Sequence, residues 1–433
     1  MKKKIIGVFG TTHLATVIAS SFLEKNFKVI LFELDVKKLN NIKNGKFAIY
    51  EPHVEEVIKK AIKKKKISFS NDLRKDSKKI DVLYYAKDSL KTKYGINEKF
   101  FADEFLKILN QLKTKKDIIL SSQLPVGTCQ RLLKMIFKIN NKICLFYIPE
   151  FLRLGNAFNL YLNQDYIIIG SENKKNFLRI KKYFQYFSDK IYNCNLSEAE
   201  FSKHFANIYV ANTVSLVSEL TSLGDFYGVN FAKIAPALRN DQRIGNKSYI
   251  YPGLGFTGGN IERDIKVVTG LMKKKGIAPQ MLNSITSVNE IHNNEPTKII
   301  SKKFKSLKNI NISFLGVTYK DNTNTLNGSL AVKYAKLFLK KGAIIKMYDP
   351  MISSDTKIHK IKFCNNYEEC LKNSDILIIM IVKDVYKDLS LIKLAKFMNK
   401  KNVLDLANMY DAEDLKRNKF NYAGLGIGKN FFT

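Results

Sequence analysis

Short apolar runs alternate along this chain with longer stretches whose apolar residues recur at helical spacing. Residues 4–9 (KIIGVF) form one run, a turn follows, a helical pattern occupies residues 15–25, and a second run, KVILF, fills residues 28–32. The unit is strand, helix, strand. Further buried-strand candidates stand at 82–86, 118–121, 143–147 and 166–169, separated by segments of helix length. This alternation predicts an α/β domain with a mostly parallel, doubly wound sheet, since parallel strands need crossovers that cover both faces.

From about residue 197 to 227 the pattern becomes helical without a break. Phe201, Phe205, Ile208, Leu216, Leu220 and Leu223 share one stripe, interrupted by Asn212. A helix of that length can serve as a spine between domains. After a glycine-rich loop at 251–259 and more helix, strand patterns return at 310–315, 344–348, 376–380 and 403–404. A second, smaller α/β domain is therefore expected from about residue 308, giving the partition 1–195, 196–307 and 308–433. The two α/β domains do not read as sequence repeats.

Composition narrows the class. A chain of 433 residues suits two or three domains, and 45% hydrophobic with 12% aromatic residues excludes a disordered polymer. The formal charge of +34 fits either a polyanionic partner or lysines spread over solvated helix faces. With no Arg-rich arm, zinc finger or aromatic-basic platform, the second reading is preferred and nucleic acid is not expected as a partner. The five cysteines are scattered, without a CxxC pair or histidine cluster, so no disulfide framework and no metal site are expected. The basic start breaks at Gly10 and reads as a first strand rather than a secretion signal. The most apolar later stretch, 376–382, is far below the roughly 20 residues of a membrane helix. The expectation is a cytoplasmic protein without a membrane partner.

Candidate chemistry begins at Gly10-Thr11-Thr12-His13-Leu14-Ala15, with Glu33 closing the second strand. A glycine there lets backbone amides and a helix N-terminus approach a pyrophosphate, and a carboxylate on the second strand can hold ribose hydroxyls. Thr12 adds a side chain where backbone must approach phosphate. Alone, the motif fits an ordinary βα turn equally well. It is followed by Tyr50-Glu51-Pro52 with Glu55-Glu56, Leu124-Pro125-Val126-Gly127-Thr128, and Pro149-Glu150-Phe151-Leu152-Arg153. Then come Lys203 and Asn207, Gly255-Phe256-Thr257-Gly258-Gly259 ending at Asp264, Leu315-Gly316 with Tyr319-Lys320 and Asn322-Thr323, and Tyr348-Asp349-Pro350. In this order the set resembles the UDP-glucose/GDP-mannose dehydrogenase family over nearly the whole chain.

The resemblance implies two Rossmann-like doubly wound parallel-sheet domains joined by a long helix and a helical middle domain, with NAD on the first and the nucleotide of a sugar nucleotide, a UDP-sugar in expectation, on the third. It implies a homodimer built on the long helix and a place in polysaccharide or nucleotide-sugar biosynthesis. The family oxidises a sugar alcohol to a carboxylate in two hydride transfers, through a cysteine thiohemiacetal and thioester that activated water hydrolyses. Carried onto this chain, Gly10, Thr11, Thr12, His13, Leu14, Glu33, Lys38, Ser122 and Arg263 would meet the cofactor. Glu150, Phe151, Leu152, Arg153, Arg243, Tyr249, Gly255, Phe256 and Lys320 would meet the substrate, the case for Arg243 and Lys320 resting on the alignment alone. Lys203 and Asn207 would steady the developing oxyanion beside Asp264. His13 reads either as a phosphate donor or as a packed turn histidine, and Glu150 with Arg153 either as substrate contacts or as a surface ion pair.

Departures from the family pattern matter as much. Asn260 stands at the position of the family cysteine and Arg263 at that of its lysine; Leu154 replaces the second glutamate of the Pro-Glu-Phe-Leu-Arg-Glu run. Ser122-Gln123 replaces Ser-Thr, Asn327 an arginine, and Asp88-Ser89-Leu90 a Gly-Thr-Pro. A carboxamide is no nucleophile at neutral pH, so the four-electron reaction is expected to be absent or slow. Two readings follow: an NAD-linked nucleotide-sugar oxidoreductase limited to one hydride transfer, or a catalytically inactive protein of a glycan-synthesis pathway that holds nucleotide sugar and NAD.

Overall fold

The computed structural model describes residues 4–87, 91–92, 95–112, 115–140 and 142–427. They form two compact units: Met1–Ala206 with Lys266–Leu271, and Asn207–Ile265 with Met272–Thr433. The long helix Leu196–Phe226 contributes to both.

In the first unit, β1 (Ile5–Phe9), β2 (Lys28–Phe32), β3 (Ile67–Ser70), β4 (Val82–Tyr85), β7 (Lys116–Leu120), β8 (Ile143–Tyr147), β9 (Ile167–Gly170) and β10 (Ile191–Cys194) build one sheet. Its order is β10-β9-β8-β7-β4-β1-β2-β3, while β5 (Lys91–Thr92) and β6 (Gly95–Ile96) pair as a separate antiparallel ribbon. The ladders are parallel apart from β8 against β9. Alternate residues of the inner strands feed two separate cores. Val8, Leu31, Tyr84 and Ile119 face one, and Phe9, Phe32, Tyr85 and Leu120 the other. Burial on both faces explains why these strands read as continuous apolar runs.

Strand order reverses between β1 and β4. At that switch point the carboxyl ends of the parallel strands bring Gly10, Glu33, Ala86, Ser121 and Ile148 to one edge, where an open α/β sheet takes its ligands.

In the second unit, β11 (Asn311–Leu315), β12 (Ile344–Tyr348), β13 (Ile361–Phe363), β14 (Ile376–Ile379), β15 (Asn402–Asp405) and β16 (Asn421–Gly424) form an all-parallel sheet ordered β13-β12-β11-β14-β15-β16. The same unit holds the helices Phe231–Arg239, Gln280–Asn293 and Glu295–Lys303. The expected fold class is the one observed.

The stripe on the long helix behaves differently from a core face. Phe201, Phe205, Leu216, Leu220 and Leu223 are exposed, whereas Ala211, Ser215, Val217, Ser218 and Thr221 are buried. The inward face is made of small and hydroxylated residues that hydrogen-bond at close range, with Ser215 donating to the Ile285 carbonyl (3.2 Å).

Candidate functional site

The first turn of the first unit is built for a close approach. Gly10 has φ +118°, and a Cβ there would lie 3.3 Å from the Ala86 carbonyl oxygen. Thr12, the position where a side chain stood in question, is engaged by its own surroundings: its hydroxyl donates to the Ala86 carbonyl (2.8 Å) and caps the helix His13–Glu24 by accepting from Ala15 N (3.2 Å). Leu14 packs in that helix's first turn against the core. Thr11 donates to the buried Glu33 carboxylate (3.0 Å), which also accepts from Asp35 N (3.3 Å). Lys38 lies on the surface, 3.8 Å from Asp35. Ser122 donates to the Lys87 carbonyl (2.5 Å) on the neighbouring strand's loop. Gly10, Thr11, Glu33 and Ser122 thus gather at the switch point; Lys38 does not join them through any contact the structure records. The Asp88-Ser89-Leu90 departure lies outside the described residues.

His13 has a partner the sequence did not reveal. Its Nε2 sits 2.7 Å from Glu51, whose carboxylate is held below its usual range despite burial by His13 and by the amides of Gly155 and Phe158. A carboxylate only accepts, so His13 Nε2 is the donor. Glu51 also accepts from Gly155 N (2.9 Å), Ala157 N (2.6 Å) and Phe158 N (3.3 Å), and so caps the helix Ala157–Leu162. His13 is thus packed against Glu51, which ties the turn after β1 to the loop carrying residues 149–155.

In that loop Glu150 is buried, which removes the surface ion-pair reading. Its Oε1 accepts from Tyr84 OH and lies 3.5 Å from Ser121 Oγ, while Oε2 is buried without a hydrogen-bond partner. Burial pushes the carboxyl up to about 7, against the pull of the Tyr84 hydrogen bond, the Lys203 charge and Ser121. A carboxyl tuned near neutrality is suited to exchanging protons. Lys203 donates to the Glu150 carbonyl (2.6 Å) and lies 5.2 Å from the Phe151 ring centroid. Leu152 packs against the core and Arg153 is exposed. One turn of the long helix organises this edge: Glu200 accepts from Gly127 N (2.6 Å) and Cys129 N (2.7 Å), and His204 donates to the Leu124 carbonyl (2.8 Å). The Leu124–Thr128 run is thereby held by the same turn that presents Lys203.

In the second unit Asn207 donates to the fully buried Asp264 (2.5 Å). Arg263, also buried, donates to the Asn260 amide oxygen (3.2 Å). The glycine-rich loop is stitched to the helix Gln280–Asn293: Asn289 accepts from Phe256 N (2.8 Å) and donates to its carbonyl (2.9 Å), and His292 donates to the Gly253 carbonyl (2.5 Å). Gly255 passes so close to Asn289 that a Cβ would lie 2.3 Å from its Oδ1. Tyr319 donates to the Thr257 carbonyl (2.8 Å), joining this loop to the turn that follows β11.

Around the second sheet, Gly316 has φ +72° and a Cβ there would lie 2.0 Å from the Ile381 carbonyl oxygen, so no other residue fits. Asp349, buried at the end of β12, accepts from Thr318 N and Oγ1 (both 3.1 Å). Lys383, absent from the sequence reading, is buried beside it, 2.9 Å from Asp321 and 3.9 Å from Asp349. Lys320 is exposed at the mouth of the same turn. Arg243 points to solvent in a bidentate pair with Asp241 (3.0 and 2.6 Å). Tyr249 helps line a cavity of about 440 Å³ with Tyr209, Val210, Thr213 and Ile244. No group of histidine, cysteine, aspartate and glutamate able to hold a metal, and no helix long and apolar enough to cross a membrane, occurs among the described residues.

Comparison with known proteins agrees with this geometry. Residues 4–188 match the NAD binding domain of the UDP-glucose/GDP-mannose dehydrogenase family, residues 197–291 its central domain and residues 313–412 its UDP binding domain. The UDP-glucose 6-dehydrogenase TuaD of Bacillus subtilis is 25% identical over 98% of this chain and 93% of its own length. The UDP-glucose 6-dehydrogenase of Rickettsia prowazekii is 25% identical over 96% and 98%. Among solved structures, a UDP-glucose dehydrogenase from the archaeon Pyrobaculum islandicum superposes with a TM-score of 0.86 at 20% identity, covering 99% of this chain and 98% of that one. A UDP-D-ManNAc dehydrogenase from Pyrococcus horikoshii gives 0.84 at 18% identity, covering 98% and 99%. These two likenesses speak for the fold, and the three consecutive domain matches speak for the lineage: the chain belongs to the UDP-glucose/GDP-mannose dehydrogenase family, whose members are NAD-dependent dehydrogenases of nucleotide sugars.

Proposed function

We propose that the protein oxidises an alcohol of a UDP-sugar to the aldehyde and goes no further. The observation that carries this reading is Asn260: its amide stands where the family places the thiol and its oxygen accepts from Arg263 (3.2 Å), so the position offers an acceptor and no nucleophile. None of the five cysteines falls within residues 251–264.

The residues at the switch point fit NAD. Gly10 leaves the space a pyrophosphate needs, and Glu33 has lone pairs beyond those used by Thr11 and Asp35 for ribose hydroxyls. NAD, when bound, accepts the hydride. The chain's own groups handle the proton and the charge: Glu150 takes the alcohol proton, Lys203 and Asn207 steady the oxygen, and Asp264 orients Asn207. The turn at Gly316 with Lys320 is assigned to the nucleotide, and Arg243 and Tyr249 to the substrate side of the middle domain. The chain is divided at 1–195, 196–307 and 308–433, a partition supported by the family matches over 4–188, 197–291 and 313–412, and the exposed stripe of the long helix is assigned to a homodimer.

The test is to incubate the protein with NAD and a panel of UDP-sugars, count NADH per sugar consumed and identify the product by mass spectrometry. One NADH with an aldehyde or its hydrate is expected. Two NADH with the uronic acid would refute the limit to one step. Tight binding of both ligands without turnover would replace the enzyme by the binding protein.

A further inference from the structure

We propose that Tyr84 is a positioning residue for proton exchange at Glu150: its phenol occupies Oε1 and leaves Oε2 as the single oxygen that takes up and returns the proton. The proposal rests on the reading of Glu150 as the proton acceptor. Tyr84 lies on β4 and is fully buried, as is Tyr161, and Glu150 is buried with its Oε2 closed off from solvent. A buried phenol needs a partner, and the one found is the carboxylate.

Counting protons singles out Tyr84. Ser121 has one hydroxyl proton and three acceptors within reach: the Ile148 carbonyl at 2.6 Å, Tyr84 OH at 2.9 Å and Glu150 Oε1 at 3.5 Å. The carbonyl is nearest and takes it, so Ser121 donates to neither Tyr84 nor Glu150, and the one phenolic proton of Tyr84 goes to Oε1, its nearer acceptor. Tyr161 reaches Tyr84 at 3.5 Å and does not reach the carboxyl through a recorded contact. Tyr84 is therefore the real donor to Glu150. A proton arriving at Oε1 would have to displace that bond, whereas Oε2 is buried and unpartnered. Oε2 is the oxygen left to titrate, and the phenol holds the carboxylate in one orientation while it does so.

The bond also favours the charged form, since a donor to a carboxylate stabilises it. Removing the hydroxyl should raise the Glu150 midpoint by roughly one to two pH units. The experiment is an infrared pH titration of the carboxyl stretching band in the wild type, Tyr84→Phe and Glu150→Gln, with the pH profile of kcat/KM where turnover is measurable. A band titrating near neutrality should vanish in Glu150→Gln and move to higher pH in Tyr84→Phe. The acidic limb of kcat/KM should move with it, and activity should recover on the alkaline side, which a general packing defect would not produce. Tyr161→Phe, which loses a hydroxyl of the same cluster, should leave the midpoint near that of the wild type. Should Tyr84→Phe fail to fold, site-specific fluorotyrosine at position 84, a stronger donor of the same shape, should move the midpoint down. Persistence of the band in Glu150→Gln would overturn the reading of Glu150 and this proposal with it. Loss of the band in Glu150→Gln but an unchanged midpoint in Tyr84→Phe would overturn the proposal alone.

Discussion

Glu150 joins stability to pH in a direction that can be worked out. Its folded-state carboxyl is raised by burial to about 7, against about 4.3 for an unperturbed glutamate. Between those values the native state holds a proton the unfolded state has lost, so stability falls as pH rises through the interval and levels off above it. Glu150→Gln, neutral in both states, should remove that slope and gain on the order of 3 kcal/mol over the wild type at pH 8, read as the difference between thermal or urea midpoints at pH 5 and pH 8. It should lose turnover at the same time. Glu51 has the opposite sign: its carboxyl is depressed, so its contribution is present above the ordinary glutamate range and lost on acidification. The sequence exposed Glu150 as a member of a motif but not as a buried base, because burial is a tertiary property. The strand Val82–Tyr85 offered two hydroxyls, and only the pleat, which sends Tyr84 and Tyr85 to opposite faces, decides which of them meets Glu150.

Capping is where single residues become elements. Glu51 holds three amides at the start of Ala157–Leu162 together with His13, and Glu200 holds two at the start of Thr128–Ile139. Glu51→Ala leaves buried donors without a partner and should cost roughly 3 kcal/mol, visible in the unfolding midpoint, with NAD affinity falling because His13 loses its anchor. The inner strands were legible as apolar runs, and the four strands of the two large sheets that went unread are β3, β10, β13 and β16. All four are sheet edges. An edge strand has one neighbour and a partly solvated face, so its sequence alternates or stays short: ISFS, IYNC, IKF and NYAG. Period and apolarity carry no strong signal there. The long helix was legible in extent, Leu196–Phe226 against an expected 197–227, but its apolar stripe faces outward. Leu223 is 57% and Phe226 83% exposed, more than a single spine leaves open. Light scattering should give twice 49.7 kDa, and Leu216→Lys with Leu223→Lys should return the monomer without lowering the unfolding midpoint.

For the whole molecule, family membership and the lost groups pull against each other, and substitution can separate them. By the family resemblance, acid formation needs a thiol to capture the aldehyde and a base to activate water; Asn260 removes the first and Leu154 the second. Glu150 survives as a carboxyl near neutrality, so a base of sorts persists while a nucleophile does not. Asn260→Cys should therefore restore capture first: with NAD and a UDP-sugar, intact-protein mass should rise by an acyl adduct that builds up because water is poorly activated. Adding Leu154→Glu should clear that adduct and bring the yield to two NADH per sugar, each catalytic group being worth a factor of roughly 10² or more in rate. The single Leu154→Glu variant, still without a thiol, should stay at one NADH. Acid formed as fast by Asn260→Cys alone as by the double variant would mean that Glu150 activates the water as well as taking the alcohol proton. Absence of an adduct in either cysteine variant, with both ligands bound, would show that more than these two positions separates this chain from the four-electron reaction.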